Sequence, residues 1–368
     1  MGERRNNCNQ AKGVDTSVKK WLVVVVAGQS NAVGYDESTP VESEFPENPR
    51  ICQLGYYGND NLKIVPLRWC AQNFQNMGSF GKGQKGCKGV HYPLGQELLK
   101  WIPSDYGVLF IPAAFGGTSI CFRGSNYWDN SRGNYNAAEH RVANAEQNIR
   151  RYDWQCLSSS ETAPLVGIQA TNPMKAIQGR LKYVLKNYPE SALLAIVWVQ
   201  GESTTVGKNA PTNITNNDQA LYAYSRMFAG IQAVCYLSGI KNIAGNNITH
   251  NDIFTYRAPR HWNSDLYNKI QALYRKMLPA NNYITPPQTD TVTNKYNGAP
   301  KGPVVNGQLK LGPGQTSTTQ ESHYGNDAFR DYIAPMLSEA IKKHYDSLNA
   351  RYFTIKNQHE LITDYVVG

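Results

Sequence analysis

Three short stretches carry side chains suited to covalent chemistry: Gln29-Ser30-Asn31, Gln200-Gly201-Glu202-Ser203 and Glu321-Ser322-His323. Ser30 stands just beyond an apolar run and the small pair Ala27-Gly28. A serine there lies at the C-terminal end of a first strand, where open α/β sheets hold their ligands. If a helix starts next to it, the unsatisfied N–H groups of that start can meet a developing negative charge. The bland reading of the same residue is a helix N-cap, and Ser30 on its own leaves the two readings level. Of seven histidines, His323 alone precedes a C-terminal helical pattern with hydroxyl and acidic neighbours. His261, in the loop RAPRHWN, is its one competitor, and the others read as surface or structural residues.

The elements that must position these groups follow from hydrophobic pattern. Trp21–Val26 is six apolar residues, four of them valine, too short to cross a membrane and without polar alternation. That predicts a strand buried on both faces. Gly107–Pro112 predicts a second such strand, running into Ala113-Ala114-Phe115-Gly116-Gly117-Thr118-Ser119, where paired glycines permit close approach to a ligand. Ala192–Val199 predicts a third, running into Gln200. Helical periodicity covers Tyr92–Trp101, Asn172–Asn187, Asp218–Tyr236 and Leu266–Leu278, with a further strand at Ile253–Tyr256. A last helical pattern runs through Phe329, Ile333, Leu337 and Ile341, with Pro335 inside it as a kink or a start. Strands that each end in a small or polar cluster, separated by helices, predict a doubly wound α/β fold with one composite site. Between them lie long polar stretches. Residues 36–62 read as a loop with a short strand at Ile51–Leu54, and 121–165 as an insertion. Residues 280–320 read as an irregular excursion, and Lys82, Lys85 and Lys88 as parts of a mobile basic loop.

Composition bounds the function. The chain has 368 residues, 41% hydrophobic and 18% charged, which suits one large domain with a real core. The formal charge of +9 leans towards an acidic partner, but the basic residues are scattered and no nucleic-acid-binding signature is present. Seven cysteines without a CxxC pair argue against a zinc site or a disulfide framework. Residues 1–20 are polar and basic, unlike a secretion signal, and no segment is long and apolar enough for a membrane span. The expected location is cytoplasmic, or a virion if the chain is phage-borne.

Taken in order, VVAGQSNAVG, PAAFGGTSI, WVQGES and SHYGNDAF resemble the signature blocks of the SGNH/GDSL hydrolases. More narrowly they resemble the carbohydrate-esterase branch that includes sialate O-acetylesterases and acetylxylan esterases, over roughly Trp21 to His344. The resemblance implies a three-layer α/β/α, flavodoxin-like fold with a mostly parallel sheet and long loop insertions. It implies Ser30 as nucleophile and His323 as general base, with an oxyanion hole from the N–H groups of Ser30 and Gly117 and a side-chain amide. Gln200 suits that amide because an NH₂ donates, whereas an ionised Glu202 only accepts and is better cast as an orienting group. Gln29, Asn31 and Gly116 would take part in binding the substrate around these, Gly116 also shaping the turn. The expected hydrolase chemistry calls for neither metal nor cofactor. One position departs from the superfamily: Gln320 stands where an aspartate three residues before the histidine is common. Either Glu321 supplies the carboxylate, or a backbone carbonyl orients His323 in a Ser–His dyad, which the resemblance favours.

The expected organisation is an N-terminal segment 1–20 that tethers or flexes, an esterase domain 21–348 and a tail 349–368. The expected activity is removal of O-acetyl groups from a sugar, sialic acid first. Tyr127, Trp128 and Trp262 would stack on sugar faces, while Arg123, Arg257 or Arg260 would hold a carboxylate. A deacetylase of capsule or O-antigen polysaccharide is the enzymatic alternative, with the N-terminal segment docking on a larger assembly. An inactive carbohydrate-binding module is the alternative from another class.

Overall fold

The computed structural model describes residues 13–15, 17–18, 20–36, 40–74, 87–116, 173–202, 216–259, 262–286, 299–300, 304–305, 308–309, 319–320 and 323–349. The valine-rich run forms β1 (Lys20–Gly28), followed at once by the single-turn helix α1 (Ser30–Val33). Then come β2 (Ile51–Leu54), β3 (Ile64–Pro66), α2 (His91–Leu99) and β4 (Tyr106–Ala114). The second half adds α3 (Pro173–Asn187), β5 (Ala192–Val199), α4 (Asn217–Ser238), β6 (Ile253–Tyr256), α5 (Asp265–Met277) and β7 (Tyr283–Ile284).

These strands make one seven-stranded sheet in the order β3-β2-β4-β1-β5-β6-β7. All neighbours pair in parallel except β3, which folds back antiparallel on β2. With the β2–β3 hairpin set aside as an edge addition, the remaining strands run 2-1-3-4-5, the flavodoxin-like order. Its switch point lies between β1 and β5. Both carry long buried runs because helices cover both faces. Val23, Val25 and Ala27 pack under α3, α4 and α5, while Leu22, Val24 and Val26 pack under α2 and the C-terminal helix. Each of these valine and leucine side chains stabilises the fold by roughly 1.5–3 kcal/mol when fully buried.

The C-terminal helix begins at Asn326–Ala328, passes through a π-helical turn at Phe329–Ile333 and continues over 334–349. It therefore starts well before Pro335. A wider turn next to a proline accommodates the missing N–H and the ring against the carbonyl of Asp331. The excursion expected over residues 280–320 contains the edge strand β7, too short to carry a periodic signal. None of the helices among the described residues is long and apolar enough to cross a membrane.

Gly28 closes β1 at φ +130°, and a Cβ built there would lie 1.9 Å from the carbonyl oxygen of Val199. Gly28→Ala is therefore expected to lower the unfolding free energy by about 3 kcal/mol or more, read as a reduced urea midpoint. A wild-type midpoint would contradict this close approach.

Candidate active site

The ends of β1 and β5 are tied by their backbones. The N–H of Gln29 donates to Val199 O at 2.9 Å, and the N–H of Phe115, beyond β4, donates to Gly28 O at 3.0 Å. Gln29 sits at the N-cap of α1 with no side-chain cap, and Ser30 is the first helical residue. The N-cap reading of Ser30 thus does not hold. Ala32 and Val33 donate back to Gln29 O, while the N–H at the first helical position has no carbonyl within the turn to bond. Gln29, Ser30 and Asn31 are all buried, with Ser30 6% exposed.

Across the switch point stand Gln200 and Glu202, 1% and 8% exposed. Gln200 Oε1 accepts the N–H of Gly201 at 3.1 Å, which engages the carbonyl end of the amide and leaves its NH₂ as the donating end. Tyr274 Oη donates to Gln200 O at 3.3 Å and in turn accepts the indole N–H of Trp198 at 3.0 Å. Asn31 Nδ2 donates to Glu202 Oε1 at 3.0 Å, linking the residue beside Ser30 to the β5 end. Tyr256, at the end of β6, donates its hydroxyl to Asn31 O at 2.6 Å. The sequence-predicted residues Gln29, Ser30, Asn31, Gln200 and Glu202 are thereby drawn into one cluster.

His323 is half-buried on the approach to the C-terminal helix, its ring stacked on Tyr35 with centroids 4.7 Å apart and planes 16° off parallel. Gln320, where the superfamily often has its carboxylate, lies in a short antiparallel pair with Ala299. Gly116 is buried just beyond β4. Trp262 is partly exposed in the turn before α5, with its N–H donating to Pro259 O at 3.1 Å. Gly117, Arg123, Tyr127, Trp128, Arg260, His261 and Glu321 lie outside the described residues. Arg257, in the same loop, bonds Asn263 and Asn268 at 3.2 and 2.7 Å and lies over the Tyr267 ring, so it faces α5.

Sequence reasoning missed several groups that hold this site. Asn73, 1% exposed, accepts the N–H of Ala114 at 3.1 Å and reaches Val33 O at 3.5 Å, joining the end of β4 to α1. An asparagine in a polar loop gives no signal of such a role. Lys88, expected in a mobile basic loop, is buried and paired with Asp36 at 3.1 Å. The charge is held inside because a carboxylate meets it there. His91 is the reverse case: burial pushes its imidazole down to about 3, so it stays neutral as a packing residue.

Burial pushes the Glu202 carboxyl up to about 7, against the smaller opposing effect of the Asn31 hydrogen bond. Among the described residues its Oε2 has no hydrogen-bond partner. The carboxyl titrates near its ordinary 4.5 when unfolded and at about 7 when folded. Between those values the folded chain holds a proton that the unfolded chain has released, so stability falls as pH rises through that window and stays lower above it. Glu202→Gln, which cannot ionise, is expected to raise stability by roughly 1–3 kcal/mol at about pH 8. The gain should fade below about pH 4.5, where both side chains are neutral. Urea unfolding at the two pH values checks this, and an equal difference at both would contradict it.

No protein-family model matches the chain. The chain is 23% identical over 346 residues to a probable 9-O-acetyl-N-acetylneuraminic acid deacetylase of Escherichia coli (strain K12), covering 87% of this chain and 95% of that protein. Its structure is similar to that of NanS, with a TM-score of 0.62 and 19% identity, over 90% of this chain and all of the other. The layered α/β arrangement around a mostly parallel sheet, expected from the sequence, is the fold it shares with NanS. Over nearly its whole length the chain is thus similar in sequence to a protein named as a probable sialic acid O-acetyl deacetylase, and in fold to NanS.

Proposed function

We propose that this protein is a serine carboxylic-ester hydrolase that removes O-acetyl groups from sialic acid, with 9-O-acetyl-N-acetylneuraminate as substrate. The reading is carried by the cluster of Ser30, Asn31, Gln200 and Glu202 at the β1/β5 switch point. It is supported by the similarity of the chain to a protein named as a deacetylase of that sugar.

In this mechanism Ser30 Oγ attacks the acetyl carbonyl while His323 takes its proton. The negative oxygen of the tetrahedral intermediate is met by the N–H groups of Ser30 and Gly117 and by the amide NH₂ of Gln200. The intermediate collapses with the sugar oxygen leaving, protonated by His323, and Ser30 remains as an acetyl ester. Water, deprotonated by His323, then attacks that ester, and acetate departs as Ser30 regains its proton. Glu202 contributes by holding Asn31, and with it the turn that carries Ser30. Arg123 and Arg260 hold the sugar carboxylate, with Trp128 and Trp262 against the sugar faces. The esterase unit is 21–348, flanked by the segments 1–20 and 349–368.

The test is acetate release from 9-O-acetyl-N-acetylneuraminic acid. Ser30→Ala and His323→Ala are each expected to lower kcat by about 10³-fold or more. Under the dyad reading Glu321→Gln keeps most of kcat, and a loss like that of His323→Ala would make Glu321 the third member of a triad. Cleavage of p-nitrophenyl acetate through Ser30, with silence on the free sugar, would move the substrate to an acetylated acidic polysaccharide. Silence on both would favour a binding module.

A further inference from the structure

The residues that follow the serine turn lead directly to the histidine. Gly34 ends α1 at φ +84°, its N–H donating to Ser30 O at 3.0 Å, and a Cβ built on it would lie 2.3 Å from the Cα of Gly89. The chain can leave α1 here only by passing hard against the segment that carries Lys88. Tyr35 then places its ring face against the imidazole of His323. Asp36 accepts the backbone N–H of Asn326 at 2.6 Å through Oδ2 and meets Lys88 Nζ at 3.1 Å through Oδ1, with both side chains at most 5% exposed. The backbone N–H of Lys88 donates to Asp36 O at 2.9 Å. Tyr324, next to the histidine, donates its hydroxyl to Arg257 O at 2.8 Å. The chain after His323 is thus anchored at two points, and the plane of its ring is set by a third.

We propose that Tyr35 and Asp36 are the positioning residues of the base: Asp36 fixes the backbone beyond His323, and the Tyr35 ring fixes the plane of the imidazole. The inference rests on the Ser30–His323 reading. A triad carboxylate fixes its histidine by a hydrogen bond to the ring, a task that the neutral Gln320 performs poorly. A near-parallel aromatic stack restrains the same ring by its face. The π face also attracts the imidazolium that forms as Ser30 is deprotonated more than it attracts the neutral ring. Neither effect needs the tyrosine hydroxyl, so a phenyl ring is sufficient.

The experiment measures kcat and KM on p-nitrophenyl acetate for wild type, Tyr35→Leu, Tyr35→Phe and Ser30→Ala, with melting temperatures alongside. Because Tyr35 is half-buried and its neighbours are anchored independently, the folded population of Tyr35→Leu is read from its melting curve. Expected is a fall in kcat of roughly 10- to 100-fold for Tyr35→Leu, the scale of a misplaced catalytic group. KM should stay within about threefold, since the stack touches the base and not the substrate, and Tyr35→Phe should restore most of kcat. A folded Tyr35→Leu with wild-type kcat, or a Tyr35→Phe as impaired as Tyr35→Leu, overturns the positioning role while Ser30→Ala is inactive. Undiminished turnover in Ser30→Ala, or no turnover in wild type, overturns the Ser–His reading and this inference with it.

Discussion

The site depends on how closely the ends of β1 and β5 approach. At Gly28 the backbone of β1 runs so near the carbonyl of Val199 that no side chain fits between them, and Gln29 then bonds that same carbonyl. The contact sets where the chain may turn. From the turn come α1 and Ser30, and from the other strand end come Gln200 and Glu202. In a parallel sheet covered on both faces, strand ends at the switch point are the place where backbone and side chains diverge and leave room for a ligand. The layers of aliphatic side chains above and below make the two strand ends rigid, so groups mounted on them keep their separation.

Placing polar groups in such a dry region is costly unless each finds a partner. The structure meets much of this demand with bonds that also carry geometric information, and leaves Glu202 Oε2 without a hydrogen-bond partner among the described residues. Asn31 joins Glu202, Tyr256 holds Asn31 O, Tyr274 holds Gln200 O, and Asn73 joins the β4 end to α1. The same holds for the buried pair of Asp36 and Lys88. Breaking such a pair by removing one charge typically costs 3–5 kcal/mol, because the other charge is left buried. The pair adds a hydrogen bond to Asn326, so Lys88 before α2, Asp36 after α1 and the start of the C-terminal helix are tied together.

How much of this was legible in the sequence follows from the length scale of each feature. The strands at Trp21–Val26, Gly107–Pro112 and Ala192–Val199 were visible because burial on both faces demands an unbroken apolar run. The structure extends the first two by a few residues into their small-residue ends. The long helices were visible from their period. The single turn at Ser30–Val33 and the two-residue β7 hold no period, since tertiary contacts set them. Lys88 is the instructive failure. Alternating lysine and glycine predicts a solvated loop, and local composition cannot announce a carboxylate some fifty residues away in the chain that removes one lysine from water. Asn73 and Tyr35 were silent for the same reason: their roles lie wholly in what they touch.

A carboxylate in a catalytic triad does two things: it holds the imidazole in place and it stabilises the positive charge that forms there. Packing can take over part of the first, since a ring clamped by its face and by its backbone has its plane chosen without a hydrogen bond. It takes over the second only in part, through the attraction of a π face for a cation. The buried carboxyl at the strand ends carries only part of a full negative charge near neutrality, because burial pushes Glu202 up to about 7. A strand-end carboxyl that is only partly ionised suits the acidic sugar proposed as substrate better than a fully ionised one, which would repel the sugar's own carboxylate. On this view the neutral Gln320 and the raised Glu202 are two sides of one electrostatic choice. In the proposed mechanism the Tyr35 stack and the Asp36 anchor contribute to the orientation that a triad obtains from its carboxylate.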